Sequence, residues 1–187
     1  MKSLIVYGSK YGSSKKYAKK LSKKLNVDLV DFRNLKLDND MDILIYVGAL
    51  YAGTVVGLSK TLNLYKENNL KKVLIITVGI ADPKSVENSK NIKEKVYRQT
   101  PEKLHRTVEV FNLMGILNYS KLSFKHKIMM KFLYYSLKKT PIEKQNEETK
   151  RFLSTYNKEV NFEDFNTLEP IVKRYLQIIK GDELLKG

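Results

Sequence analysis

The chain has 187 residues, 42% of them hydrophobic, and a formal net charge of +15 at pH 7. A chain of this length and hydrophobic content can bury a core, which argues against intrinsic disorder. It contains no cysteine, so disulfide bonds, thiolate metal sites and a cysteine nucleophile are excluded.

The first half of the chain alternates short apolar runs with segments of helical spacing. Residues 3–7 are predicted as a buried strand, and residues 13–25 as a helix with lysines opposite its apolar face. Further strands are predicted at residues 27–32 and 43–47, followed by a helix over residues 55–65. This alternation is typical of βαβ units.

The second half begins with the same alternation. A strand is predicted at residues 73–78, and Asp82 and Pro83 supply an N-cap and a first helical residue for a helix that ends near residue 97. A fifth apolar run covers residues 108–117, and a helical stripe over residues 168–179 is closed by Gly181. Strands that are apolar on both faces predict a parallel sheet covered by helices on both sides, within a single domain of residues 1–187.

One segment interrupts the alternation, at residues 119–164. It is far longer than an ordinary connection between a strand and a helix, so it is predicted to be functional or an accessory structure. Residues 122–139 within it read as a helix, apolar over most of its circumference, with a basic stripe of Lys127, Lys131, Tyr134 and Lys138. We expect these four residues to contact substrate or a membrane.

The loop after the first strand is rich in glycine and hydroxyl groups. In an open parallel sheet, ligands bind outside the carboxyl ends of the strands. The free N–H groups of the next helix favour an anion there, and a phosphate is the natural ligand. A P-loop is excluded because three residues separate Gly8 from Gly12 and Ser13 replaces the lysine; a GxGxxG dinucleotide loop is absent.

The segment Ser9-Lys10-Tyr11-Gly12-Ser13-Ser14 resembles the FMN phosphate loop of flavodoxin-like proteins, whose usual form is [ST]-x-[ST]-G-x-[ST]. The resemblance implies a five-stranded parallel sheet in the order 2-1-3-4-5 and FMN as cofactor. It also implies flavin contacts in the loops after the third and fourth strands. The predicted cofactor contacts outside the phosphate loop are Ala49, Leu50, Tyr51, Ala52, Gly53, Thr77, Val78 and Gly79.

More of the chain resembles one branch of these proteins, the menaquinone-dependent protoporphyrinogen IX dehydrogenases. Tyr11 precedes the loop glycine, and the fifth strand runs into a Gly-x-Leu-x-Tyr segment, Gly115 to Tyr119. The third feature is an insertion with a basic, aromatic, methionine-bearing helix before the last helix. The resemblance implies hydride transfer from a porphyrinogen to FMN and then to a quinone.

Two other functions remain open from the residues. The chain could be a flavodoxin-like FMN electron carrier or quinone reductase of another pathway, although carriers of this fold are typically acidic. It could also be a binding module for an anion, since residues 1–25 hold eight lysines and residues 119–139 hold six, with no acidic residue in either. A nucleic-acid partner is not expected, because no recognised motif is present.

The sequence also bears on the location of the protein in the cell and on its catalytic residues. The segment MKSLIVYGSKYG interrupts its apolar run too early for a signal peptide, so we expect a cytoplasmic protein. Peripheral contact with the inner face of the membrane and a homodimer are left open. No side chain is assigned as a catalytic acid or base, and His126, alone among lysines, is expected to be a surface residue.

Overall fold

The computed structural model describes residues 1–51, 53–66, 70–145 and 147–184. Its main sheet contains β1 (Ser3–Gly8), β2 (Leu29–Asp31), β3 (Ile43–Tyr51), β4 (Thr54–Val55), β5 (Lys72–Gly79) and β6 (Val108–Met114). Five strands are parallel in the order β2-β1-β3-β5-β6, and β4 pairs antiparallel with the end of β3. The predicted order 2-1-3-4-5 is confirmed, since the unpredicted β4 only shifts the later strand numbers.

Helices cover both faces of this sheet, as predicted. The six helices of the described chain are α1 (Ser13–Leu25), α2 (Leu58–Leu64), α3 (Val86–Tyr97), α4 (Phe124–Lys138), α5 (Glu147–Thr155) and α6 (Glu169–Leu184). Successive side chains of a strand point to opposite faces, so Tyr46 packs with α2 and α3 while Ile45 packs with α1 and α6. Each large apolar side chain buried in this way contributes about 1.5–3 kcal/mol.

The predicted insertion forms a small layer with its own core. Strand β7 (Ile116–Asn118) pairs antiparallel with β8 (Glu159–Asn161), and α4 and α5 lie between them in sequence. Its buried side chains are Leu117, Tyr119, Leu122, Met130 and Phe152. The predicted helix over residues 122–139 is shorter than expected, because Leu122 is buried in this core before α4 begins. That all 187 residues form one domain stays a prediction.

The fifth predicted strand, residues 108–117, is in fact two strands. The chain turns at Gly115, whose N–H donates to the Gly79 carbonyl at 2.8 Å and whose carbonyl accepts from the Phe162 N–H at 3.1 Å. A Cβ at this position would lie 2.9 Å from Val78 Cγ1, so glycine permits the close approach to β5. The turn directs β7 out of the main sheet to pair with β8.

Three other predicted boundaries were wrong. The helix expected over residues 55–65 begins only at Leu58, because residue 55 is paired in β4. Helix α3 begins at Val86 with Ser85 as its N-cap, and the carboxylate of Asp82 instead pairs with Arg151 at 2.8 Å. Gly181 does not end the last helix, since α6 continues to Leu184.

A triad of charges joins the edge of the sheet to α6. Arg174 donates two hydrogen bonds to Glu109, at 2.7 and 2.6 Å, and Lys72 donates a third at 3.1 Å. The Arg174 guanidinium, with help from Lys72, lowers the pKa of Glu109 to about 2. The carboxylate is therefore more acidic in the folded chain than in the unfolded chain.

We expect this triad to make stability depend on acidity. A lowered carboxyl pKa stabilises the fold fully above the unfolded value, near 4.5, and the contribution is lost as the pH falls towards about 2. Glu109→Gln should lower the free energy of unfolding at pH 7 by on the order of 2 kcal/mol, since these charge-assisted bonds are partly exposed. Urea titrations measure the free energy of unfolding at pH 7 and at pH 3. The difference between these two values should be smaller in the variant than in the wild type, and an equal difference in both proteins would contradict this role.

Candidate functional site

The loop after β1 ends in a glycine that opens onto free space. Gly12 has a φ of 103°, which residues with a Cβ rarely adopt, and it is the N-cap of α1. A Cβ at this position would meet nothing within 4 Å. The N–H groups in the first turn of α1 lack intrahelical acceptors and carry the positive end of the helix dipole. This end of the loop is suited to an anion.

The three serines of the loop have different roles. The Oγ of Ser9 accepts a hydrogen bond from the Gly12 N–H at 3.1 Å, and the Oγ of Ser13 accepts one from the Ile116 N–H at 3.0 Å. Ser14 is only 1% exposed, and its Oγ has no hydrogen-bond partner in the described part of the chain. Since a buried hydroxyl without a partner is costly, Ser14 is the hydroxyl that a ligand would satisfy.

A cavity of about 250 Å³ adjoins this loop, at the carboxyl ends of the parallel strands. Its hydroxyl-lined end is the loop, and its opposite wall is apolar and includes α4. The lining residues are Ser9, Lys10, Tyr11, Ser13, Ser14, Ala49, Leu50, Tyr51, Val78, Gly79, Ile80, Gly115, Ile116, Leu117, Leu122, Met129, Met130 and Leu133. The cavity therefore joins a polar, anion-suited end to an apolar compartment.

Most predicted cofactor contacts line this cavity, but three do not. Gly12 and Gly53 are absent from the lining, although both have a positive φ and face open space. Thr77 is buried, and its hydroxyl donates to Asn112 Oδ1 at 2.8 Å on the neighbouring strand. Ala52 lies outside the described residues.

Several lining residues were not predicted. They come from the strand ends beyond Gly79 and from the insertion, namely Ile80, Gly115, Ile116, Leu117, Leu122, Met129, Met130 and Leu133. The Gly-x-Leu-x-Tyr segment and the two adjacent methionines were visible in the sequence. No local pattern, however, indicates that α4 folds back over the loop after β1.

The predicted basic stripe of α4 faces away from this cavity. Lys127 and Lys131 line a separate open groove on the outer side of the helix. Tyr134 is half-buried and stacks on Tyr156, with ring centroids 4.0 Å apart, and the Lys138 ammonium lies 5.7 Å from the Tyr134 ring. The stripe therefore divides into three exposed lysines, Lys127, Lys131 and Lys138, and a tyrosine packed against the core of the insertion.

His126 was expected at the surface, and its hydrogen bonds are indeed exposed, but it has specific partners in the loop after β1. It is half-buried, its ring centroid is 4.2 Å from that of Tyr51, and it hydrogen-bonds Tyr11 and Lys10 of the loop. Burial lowers the pKa of His126, and the ammonium of Lys10 lowers it further. Because Lys10 can only donate, at 3.2 Å from Nε2, the consistent form is the neutral imidazole that donates from Nδ1 to Tyr11. These contacts connect α4 of the insertion to the loop after β1.

The sequence profile described as a flavodoxin domain matches residues 4–144, about three quarters of the chain. The chain belongs to the flavodoxin domain family. The match covers the main sheet except for Ser3, together with the loop after β1 and all of α4. Among curated proteins, none matches the chain.

Solved structures with a similar fold include several flavoproteins. A flavodoxin from the domain Archaea is 17% identical, with 62% of this chain and 85% of that chain covered and a TM-score of 0.43. A flavoprotein from Lactobacillus acidophilus, solved with FMN, is 15% identical, with 60% and 91% covered and a TM-score of 0.45. An azoreductase from Bacillus anthracis is 10% identical, with 82% and 100% covered and a TM-score of 0.35.

Membership in the flavodoxin domain family supports FMN as the cofactor, and the cavity has the matching chemistry. FMN joins a flat, largely apolar ring system to a phosphate. The unpartnered Ser14 hydroxyl and the N-terminus of α1 suit the phosphate, and the apolar walls suit the ring. The Tyr51 hydroxyl is also buried without a partner in the described chain, and burial raises its pKa, so it remains a neutral donor.

Proposed function

We propose that this protein is an FMN-dependent oxidoreductase that takes hydride from a porphyrinogen-type substrate and passes it to a quinone. The observation that carries the proposal is the cavity, which joins the hydroxyl-lined loop of residues 9–14 to an apolar wall supplied by α4. This wall belongs to the insertion, whose sequence resembles that of the protoporphyrinogen dehydrogenases.

Each part of the cavity has a separate task in this proposal. Bound FMN would supply the redox chemistry, accepting two electrons as a hydride from one small molecule and passing them to another. The Ser14 hydroxyl and the first turn of α1 hold the phosphate, while Leu50, Val78 and Ile80 flank the space for the ring. Met129, Met130 and Leu133 form an apolar far side at the place where substrate would enter. Their flexible side chains suit a large and flat substrate.

Charge supports an acidic substrate. A porphyrinogen of this type carries two propionates, and among the described residues that line the cavity Lys10 is the one basic side chain. Its ammonium lies 4.5 Å from the centroid of the Tyr51 ring and hydrogen-bonds His126, which holds it at the cavity mouth. We therefore place one substrate carboxylate near Lys10. The net charge of +15 would help to attract the anion.

An anaerobic assay tests the substrate. Flavin-loaded protein incubated with protoporphyrinogen IX and a menaquinone analogue is expected to produce porphyrin fluorescence over many turnovers. Without the quinone, the porphyrin formed should stop at no more than about one third of the bound flavin, because each porphyrin requires three two-electron oxidations and no acceptor reoxidises the flavin.

The outcome can distinguish this proposal from the alternative. If dithionite-reduced flavin on the protein is reoxidised by the quinone while protoporphyrinogen stays unchanged, the protein is a quinone reductase or electron carrier of another pathway. Flavin-free protein is the control for oxidation by traces of oxygen.

A further inference from the structure

Helix α4 has two faces with different surroundings. Its inner face contributes Met130 and Leu133 to the cavity and Leu137 to the core of the insertion. Its outer face carries Phe124, Ile128, Phe132 and Tyr135, and the two phenylalanines are 77% and 79% exposed. At 3.6 residues per turn these four side chains form one continuous strip. The inner face packs against the protein, with Leu133 at its margin 41% exposed, whereas the outer face is open.

This strip is unusual for the surface of the molecule. Twelve large apolar side chains are exposed in the described part of the chain, and four of them form this strip, while Met129 and Leu133 of the same helix are exposed at the cavity. By contrast, the exposed face of α1 carries lysines. A concentrated apolar surface of this kind marks an interaction site, because scattered exposed residues would not align along one helix.

Lysines border the strip on both sides. The helical repeat places Lys125 at one border and Lys127, Lys131 and Lys138 at the other, and all four are exposed. Lys127 and Lys131 also line a groove of about 570 Å³ beside the strip, whose other lining residues include no acid. The surface therefore combines an apolar centre with cationic edges.

The charge decides which occupant fits this surface. A second copy of the chain, related by two-fold symmetry, would place this patch against itself. Residues 119–139 contain six lysines and no acidic residue, so such a contact would face lysine with lysine. An anionic phospholipid surface instead offers phosphates to the lysines and an acyl boundary to the phenylalanines.

We propose that the outer face of α4 docks this protein on anionic phospholipid membranes. None of the described helices could span a bilayer, so α4 would lie in the interface with its axis along the membrane. Phe124 and Phe132 enter the acyl boundary, and the bordering lysines bind headgroup phosphates. The inner face of the same helix lines the cavity. Docking of the outer face would therefore place the cavity one helix away from the membrane surface. The inference does not depend on which substrate the cavity takes.

Vesicle sedimentation tests the proposal. Wild-type protein is expected to bind phosphatidylglycerol vesicles and not pure phosphatidylcholine vesicles at 0.1 M salt, about the ionic strength that leaves a Debye length near 10 Å. Two double variants should each lower the partitioning of the protein onto the vesicles by about tenfold or more. One is Phe124→Ser with Phe132→Ser, and the other is Lys127→Glu with Lys131→Glu. The altered side chains are exposed, and unchanged flavin content in both variants would show that the fold is retained.

Matched controls separate this face from the general positive charge. Lys19→Glu with Lys23→Glu changes two exposed lysines on α1 and alters the net charge equally. Val86→Ser removes an apolar side chain that is 84% exposed on α3. Both controls should bind vesicles nearly as well as the wild type. Equal loss in the α1 and α4 charge variants would overturn the proposal, because only net charge would then matter.

A fluorescent reporter gives an independent measurement, because the chain contains no tryptophan. Phe132→Trp should show a blue shift with phosphatidylglycerol vesicles and quenching by brominated lipid, whereas Val86→Trp should show neither. No binding by the wild type would overturn the proposal. The proposal would also be overturned if the wild type sediments as a dimer and the variant Phe124→Ser with Phe132→Ser sediments as a monomer. The outer face of α4 would then be a subunit interface.

Discussion

Replacing Ser14 by alanine is expected to weaken FMN binding about ten- to a hundredfold, because a hydrogen bond to a charged phosphate contributes about 1.5–3 kcal/mol. The Ser14 hydroxyl is the buried one that lacks a partner within the described loop. Its loss should leave the flavin-free protein as stable as before, or slightly more stable, since an unsatisfied polar group is removed. Quenching of flavin fluorescence on titration measures the affinity, and mass spectrometry of heat-released cofactor should identify FMN.

Ser13→Ala is the matched control for this experiment. The Oγ of Ser13 accepts from the Ile116 N–H, so its removal leaves that donor without an acceptor. We expect a loss of about 1–3 kcal/mol in the free energy of unfolding, with a smaller effect on FMN than Ser14→Ala has. If Ser14→Ala keeps full FMN affinity, the phosphate does not bind at this hydroxyl.

Gly8→Ala is expected to lower the free energy of unfolding by about 3 kcal/mol, since overpacking a well-packed site costs this much. A Cβ on Gly8 would lie 2.0 Å from the Val56 carbonyl oxygen and 2.5 Å from the Tyr46 hydroxyl. The same two groups hydrogen-bond each other, so the alanine would break that bond as it pushes them apart. For a chain of this size the melting temperature should fall by about 6–12 °C.

Gly181→Ala provides the opposite control. That glycine lies inside α6, and a Cβ there would meet nothing within 4 Å. Alanine should therefore raise stability by about 0.5–1 kcal/mol, because glycine is a poor helix former. Differential scanning calorimetry of both variants gives the comparison. A Gly8→Ala variant that melts with the wild type would mean that the chain accommodates the methyl group by moving residue 56.

The main fold was predictable because its signals are local. Runs such as residues 43–47 are apolar on both faces, which occurs in strands buried between two layers of helices. The order of the parallel strands followed from the resemblance of the phosphate loop, and the structure confirms it. Boundaries were less predictable, since Asp82 and Ser85 are both good N-caps. In the structure Ser85 caps α3, while the Asp82 carboxylate accepts from the Lys84 N–H and pairs with Arg151.

Within the candidate site, contacts between distant residues limited what could be predicted. The phosphate-loop motif places Ser9 and Ser14 on its hydroxyl positions and Ser13 on an unrestricted one. It does not show that the Oγ of Ser13 accepts from the N–H of a residue 103 positions away, or that of the three only Ser14 lacks a partner in the described chain. His126 likewise reads as one more polar residue among lysines until α4 packs against the loop 115 positions earlier. Hydrophobic periodicity gives information about residues that are close in sequence. It gives none about contacts between residues that are far apart in sequence.

The sequence by itself determined the α/β class, the strand that ends in a glycine and serine loop, and a helix too apolar to be covered on one side. These follow from hydrophobic periodicity and the backbone chemistry of glycine, which act over a few residues. Only the tertiary structure decided which face of α4 covers the cavity, which face is exposed, and which serine is free for a phosphate. The reason is physical: burial and hydrogen-bond satisfaction are set by groups brought together from distant parts of the chain.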